Sequence, residues 1–265
     1  MSEIHTTAIV DPKARVGADV SIGPYCIVGP NVILKDKVTL KAHVCVDGHT
    51  TVGAGTTIYP FASIGSTPQD LKYKGEPSEL IIGKNCTIRE HVTMNPGTEG
   101  GGMKTIVGDK GLFMMGAHVA HDCQLGNHVI MANNATLAGH VQVGDHVLIG
   151  GLSAVHQFVR IGSFAVIGGM SGVESDVIPF GRVKGERASL AGLNLVGLER
   201  GGFSKDQIRV LQKAVKSLFD ENGTLEERIG RMEKDFDGNE QVMTMLKFAR
   251  DKERFGLCQP SRNFG

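Results

Sequence analysis

The chain has no Trp and only 3 Tyr among its 265 residues, which excludes a core built on large aromatic anchors. It has no excess charge either. Its 28 Lys and Arg balance 28 Asp and Glu, so nothing global points to nucleic acid or an anionic membrane. No stretch approaches the roughly 18 apolar residues needed to cross a bilayer. Met1-Ser2-Glu3-Ile4-His5 has neither the basic region nor the apolar run of a signal peptide. Cysteines are few, and Cys26, Cys45, Cys86, Cys123 and Cys258 show no CxxC or paired spacing, as expected of reduced residues in the cytoplasm. The expectation is a cytoplasmic protein with no nucleic-acid partner and no integral membrane contact.

What is abundant is glycine, at 36 residues, and its placement is periodic. An aliphatic residue recurs every six positions from Val10 through Val16, Ile22, Val28, Leu34, Leu40, Val46, Val52 and Ile58 to Ile64. Four residues after each anchor comes a small or β-branched one, as at Ala14, Cys26, Thr50 and Ala62. The register breaks at Ser66, resumes at Ile82, Ile88 and Met94, breaks again after Gly97, and runs from Val107 to Val173. A period of six suits neither a helix nor an alternating strand. It suits a short strand plus a tight turn, three of which make one coil of a triangular prism.

The expected fold is mainly β, a left-handed parallel β-helix of hexapeptide repeats over residues 1–187, with loops inserted at 66–80 and 97–105. A C-terminal helical domain over 188–265 follows, signalled by the capping boxes Ser204-x-x-Gln207 and Thr224-x-x-Glu227 and a helical stripe of Ile208, Leu211, Val215 and Leu218. Gly223 stands where a C-terminal helix cap is expected. Such a domain would also close one open end of the solenoid.

The prism indicates which polar residues meet. The hexads beginning at Val119, Leu137 and Val155 are 18 residues apart and stack on one wall, bringing His121, His140 and His156 to successive coils. Asp122 lies directly in line with His140, and His118 ends the preceding hexad. A neutral imidazole takes a proton from a hydroxyl when an adjacent carboxylate orients it and stabilises its cation, so His121 and Asp122 form a candidate general-base pair. Isolated histidines on such a wall are usually solvated turn residues, and His43, His49, His91 and His128 are read that way. Three histidines also suggest a metal, but no supporting shell is evident and none is expected. Cys26, Cys86 and Cys123 fall at inward positions and are read as core.

The segments His118-Val-Ala-His121-Asp122, Ala132-Asn-Asn-Ala-Thr-Leu-Ala-Gly139-His140 and Gly150-Gly151 through Ala154-Val-His156-Gln157-Phe158 resemble the UDP-N-acetylglucosamine O-acyltransferase family. The loop Gln69-Asp70-Leu71-Lys72-Tyr73 and the tail segment Gly192-Leu-Asn194 through Gly197-Leu-Glu-Arg200 extend the resemblance over nearly the whole chain. It implies transfer of an (R)-3-hydroxyacyl chain from acyl carrier protein to the 3-hydroxyl of UDP-GlcNAc, the first step of lipid A synthesis. By the same resemblance His121 is the base, Asp122 its support, and the Gly139 N–H the oxyanion donor. Gln69, Asp70, Lys72, His118, His140 and Gln157 match sugar-nucleotide positions, Asn194 and Arg200 match donor or nucleotide contacts, and Gly169 matches an acyl-chain ruler that an open Gly sets for long chains.

The family also implies a homotrimer with clefts between subunits. It implies no resident cofactor, since phosphopantetheine arrives on the carrier protein, for which Arg182, Lys184, Arg187 and Arg200 form a candidate docking patch. Two departures stand out, Val196 in place of a Glu and Asn95-Pro96 in place of His-Arg. Some relatives use a 3-amino sugar and form an amide, and that alternative stays open here. A γ-class carbonic anhydrase is the rival enzyme on a similar prism. A later N-acyltransferase of the pathway would carry a further domain before its repeats, whereas here they begin by Val10.

Overall fold

In the computed structural model, which describes residues 2–251 and 253–261, the six-residue anchors end two-residue strands, such as Ser21–Ile22, Ile27–Val28 and Ile33–Leu34. The end of the expected tail, 262–265, lies outside the described residues. Each strand points one side chain inward and one outward. Each pairs in parallel with the strand one coil on, as in Ser21↔Thr39, Ile27↔Cys45 and Ile33↔Thr51. The result is a left-handed β-helix whose three walls are, among the described residues, sheets of 11, 9 and 8 strands. The first wall starts at Glu3–Ile4, the second at Ile9–Val10 and the third at Arg15–Val16.

Anchors such as Ile58, Ile64, Ile88 and Leu137 are fully buried. The small inward positions close on carbonyls of the next coil. Cys26 Sγ donates to the Lys41 carbonyl at 2.7 Å, Thr56 Oγ1 to Gly83 at 3.0 Å and Ser153 Oγ to Gly168 at 2.8 Å. Cys26, Cys86 and Cys123 are core residues, as expected.

Most corners turn through one left-handed residue. At the first corner these include Tyr25, His43, Phe61 and His91, and at the third His128, His146 and Phe164. A side chain in that conformation costs roughly 1–2 kcal/mol. Stacking offsets part of this cost, because the 18-residue repeat lays each ring on the next. The Tyr25, His43, Phe61 and His91 rings follow one another at 5.0, 5.1 and 5.2 Å, and a ring pair of this kind contributes about 0.5–1.5 kcal/mol. His43, His91 and His128 are thus column residues rather than isolated turn residues.

Both inserted loops end earlier than expected, because strands Glu79–Ile82 and Lys104–Val107 begin inside the ranges read from the sequence. Past the repeats, Gly181–Lys184 and Ser189–Leu193 form an antiparallel pair that ends the first wall, so that sheet runs beyond residue 187. Four helices follow among the described residues, α1 (Leu195–Arg200), α2 (Lys205–Leu218), α3 (Leu225–Asp235) and α4 (Glu240–Arg250). Both capping boxes form, and Ile208, Leu211, Val215 and Leu218 are buried. Gly223 is not the cap of α2. That position is Phe219, and Gly223 takes a left-handed conformation just before α3.

The chain then returns to the prism, where Leu257 bridges Asp176 and Pro260 bridges Leu190. A buried ion pair joins the last coil to α4. Arg160 Nε donates to Asp176 Oδ2 at 2.8 Å, and its Nη2 donates to the Phe248 carbonyl at 3.3 Å. Burial raises the Asp176 carboxyl, and the bonds from Arg160 offset only part of that rise. Removing the carboxylate strands a buried cation. Asp176→Ala is expected to destabilise the protein by about 3–5 kcal/mol in chemical denaturation, whereas a loss under about 1 kcal/mol would show the pair to be ornamental.

Candidate active site

The second corner, between the second and third walls, is where both insertions leave the prism. Loop 66–78 follows the strand Ser63–Ile64, and loop 95–103 follows the strand Thr93–Met94. The next strand of that wall, His118–Val119, leads into the turn that carries His121 and Asp122.

Asp122 takes the left-handed conformation at this turn and is 4% exposed. Its carboxylate is saturated by the second loop: Oδ1 accepts from the Thr98 N–H at 2.8 Å, and Oδ2 from Thr98 Oγ1 at 2.6 Å. The Asp122 N–H donates to Thr105 Oγ1 at 2.7 Å. Gly101 packs so closely that a Cβ there would overlap the carboxylate, which accounts for the glycine at that position. Burial alone would raise the Asp122 carboxyl, but the hydrogen bonds from His121 and Thr98 outweigh it and hold it below its ordinary value.

His121 Nδ1 lies 2.8 Å from Asp122 Oδ2. An ionised carboxylate can only accept, so Nδ1 carries the proton and Nε2 presents a lone pair. Gly139 lies against the ring, where a Cβ would come within 2.5 Å of it. Its backbone N–H has no partner among the described residues. His140 stands in line with Asp122, as the spacing predicts, with Nδ1 3.9 Å from Oδ2 and its ring edge-on to His121 at 5.0 Å. Burial lowers the His140 pKa, while Asp122 pulls it the other way. His118 bonds Thr93 Oγ1 at 2.7 Å, and burial first, then His121, lowers its pKa.

A cleft of about 540 Å³ opens here, lined by His121, His140, His156, Gln157 and, from the first loop, Gln69, Asp70 and Lys72. Phe158, Arg254 and Phe255 complete it. The sequence reading missed these three. Phe158 follows His140 by 18 residues and was open to the same stacking argument, whereas Arg254 and Phe255 belong to the non-periodic chain return.

His118 is close by but does not line the cleft. Asn194 and Gly169 are elsewhere: Asn194 donates to the Phe164 carbonyl at 2.8 Å and caps α1 at the third corner, and Gly169 lies against Gly151 at the first. Arg200 ends α1. Val196 is exposed, while Asn95 is buried and donates to the Ser66 carbonyl at 3.0 Å. Ligand atoms of His121, Asp122 and His140 lie within 4.8 Å of one another, close enough for a metal. The Asp122 oxygens, however, are already taken by Thr98 and His121, so the trio is better organised as a hydrogen-bonded base than as a ligand set.

A sequence model described as Udp N-acetylglucosamine O-acyltransferase, Domain 2, matches residues 176–258. The chain is 50% identical over 259 residues to the acyl-[acyl-carrier-protein]–UDP-N-acetylglucosamine O-acyltransferase of Thermodesulfovibrio yellowstonii, covering 98% of this chain and 100% of that one. A crystal structure of a UDP-N-acetylglucosamine acyltransferase superimposes with a TM-score of 0.94 at 45% identity, over 98% of this chain and 99% of that one. The UDP-N-acetylglucosamine acyltransferase from Campylobacter jejuni superimposes at 0.92 with 39% identity, over 98% and 100%.

The electrostatics of the site are testable by histidine NMR titration. His140 is expected to titrate below its ordinary value of 6.5. Because Asp122 favours the imidazolium, Asp122→Asn should lower the His140 midpoint further. A rise in that variant would contradict the geometry.

Proposed function

The chain belongs to the UDP-N-acetylglucosamine O-acyltransferase family, and on that premise we propose that it moves an (R)-3-hydroxyacyl chain from acyl carrier protein to the 3-hydroxyl of UDP-GlcNAc, the first step of lipid A synthesis. One observation carries the assignment of the base. His121 is tied at Nδ1 to a carboxylate that is itself saturated, and so offers Nε2 to the cleft. Nε2 takes the hydroxyl proton as the sugar oxygen attacks the thioester carbonyl. The Gly139 N–H faces the oxyanion that forms. Collapse of this intermediate expels the carrier's thiolate, which takes the proton back from the His121 imidazolium. Gln69, Asp70, Lys72, His140 and Gln157 hold the sugar nucleotide in the cleft, with His118 supporting the wall beneath.

Asn194 and Gly169 stand at other corners of the same prism and Arg200 at the end of α1, so they serve this cleft only from a second copy. That distribution supports a homotrimer with clefts between subunits. The exposed side chains Tyr25, Phe61, Leu152 and Met170 along the first corner offer an apolar contact for it. No helix among the described residues is long and apolar enough to cross a membrane, and the place of work in this reading is the cytoplasm, where the donor is carrier-bound. The reaction needs no resident cofactor or metal, because phosphopantetheine comes with the donor and Asp122 supports the base directly.

His121→Ala should lower kcat by about a thousandfold, within the range for loss of a general base, with the fold retained. Full activity in that variant would end the assignment, and turnover only with the 3-amino sugar would move the acceptor to that analogue. Dialysis against a chelator should leave the rate unchanged, and a loss restored by zinc would favour a metalloenzyme. Across a series of donors, long acyl chains should be preferred, and Gly169→Met should shift the preference to shorter ones. An unshifted profile would remove Gly169 as the ruler.

A further inference from the structure

The chain return places a cation in the cleft that the acyl-transfer steps do not use. Beyond α4, the Arg254 guanidinium carbon lies 3.8 Å from the centroid of the Phe158 ring. Phe158 stacks on His140 at 4.3 Å, and His140 meets His121 edge-on at 5.0 Å. Arg254 therefore ends the ring column of the second corner, on the side facing the helical tail.

This position is held on both sides. Gln142 Nε2 donates to the Glu253 carboxylate at 3.1 and 3.2 Å. The Asp176 N–H donates to the Gly256 carbonyl at 3.0 Å, and Phe255 packs edge-on against His156 at 5.6 Å.

The charge on Arg254 is unlike that of the other stacked arginines. Arg89 lies over Tyr59 and is met by Glu90, and Arg160 lies over Phe248 and is met by Asp176. Arg254 has the ring but no carboxylate and no hydrogen-bond acceptor among the described residues. Asp70 lines the same cleft without pairing to it. The ring fixes the plane of the guanidinium while its N–H groups stay free, an arrangement suited to a planar, bidentate oxyanion contact.

We propose that Arg254 binds a phosphate oxyanion of one of the two substrates, either the nucleotide diphosphate or the phosphodiester of the carrier's arm. The proposal rests on the acyl-transfer reading above, since both substrates of that reaction bring phosphate to this cleft. Arg254 holds the ligand and takes no part in the proton transfers. Its charge also disfavours the His140 imidazolium, which adds a spectroscopic handle.

The test compares wild type with Arg254→Gln and Arg254→Lys. KM is measured separately for UDP-GlcNAc and for the acyl carrier protein, and UDP and 4′-phosphopantetheine are each titrated calorimetrically without turnover. Arg254→Gln should raise one KM by about tenfold or more, as expected on losing a charge-assisted contact, while kcat holds, the signature of lost ground-state binding. Weakened UDP binding identifies the diphosphate as the partner, and weakened phosphopantetheine binding identifies the carrier's arm. Arg254→Lys should recover only part of the loss, because it keeps the charge but not the fork. The His140 midpoint should rise in the Gln variant. Unchanged affinity for both phosphate ligands, together with unchanged KM values, overturns the proposal. Because the calorimetric arms need no catalysis, an enzyme inactive on UDP-GlcNAc would sink the functional reading while still reporting on Arg254.

Discussion

The parallel hydrogen-bond register between coils is the constraint on which the rest of the structure depends. Once Ser21 pairs with Thr39 and Ile27 with Cys45, every residue is placed above the one a full coil earlier. That single rule puts aliphatic anchors in the core, left-handed residues at the corners and like rings in columns. It also explains why Trp is absent. An inward position recurs on every coil and admits only what its neighbours above and below leave room for.

The same rule makes insertion a localised event. Extra residues within a wall would displace the pairing of every later coil, whereas extra residues at a corner loop out and leave it intact. Both insertions use the second corner. One supplies Gln69, Asp70 and Lys72 to the cleft, and the other brings Thr98 onto Asp122. The prism supplies the spacing of His121, Gly139 and His140, and the loops supply what a bare prism lacks: a floor of hydrogen bonds under the carboxylate and a polar wall opposite the imidazole.

How much of this could be read from the chain follows from which contacts are periodic. The walls, the inward cysteines and the alignment of Asp122 with His140 all depend on counting by six and eighteen, and the structure has them. The clamp of Thr98 on the Asp122 carboxylate depends on the path of an irregular loop, which no period describes. Arg254 and Phe255 were hidden for the same reason, since they reach the cleft only because residues 256–261 stitch back onto Asp176 and Leu190. Gly223 shows the opposite error, a correct conformational preference assigned to the wrong turn. Asn194 and Gly169 were matched by motif alone, and the fold places them at corners that a single chain cannot bring together.

The carboxylate clamp also separates durability from competence. Solenoid stability is spread over many nearly equivalent coil contacts, so a change in one coil is diluted by the others. Orientation of His121 draws instead on one carboxylate, whose oxygens are held by one threonine of one glycine-rich loop. Over generations of drift, walls of this kind should wander widely in sequence while Thr98, Gly101 and Asp122 change only together. A lineage that lost them would keep a well-formed prism with no base in it, a route by which a solenoid enzyme becomes a solenoid scaffold.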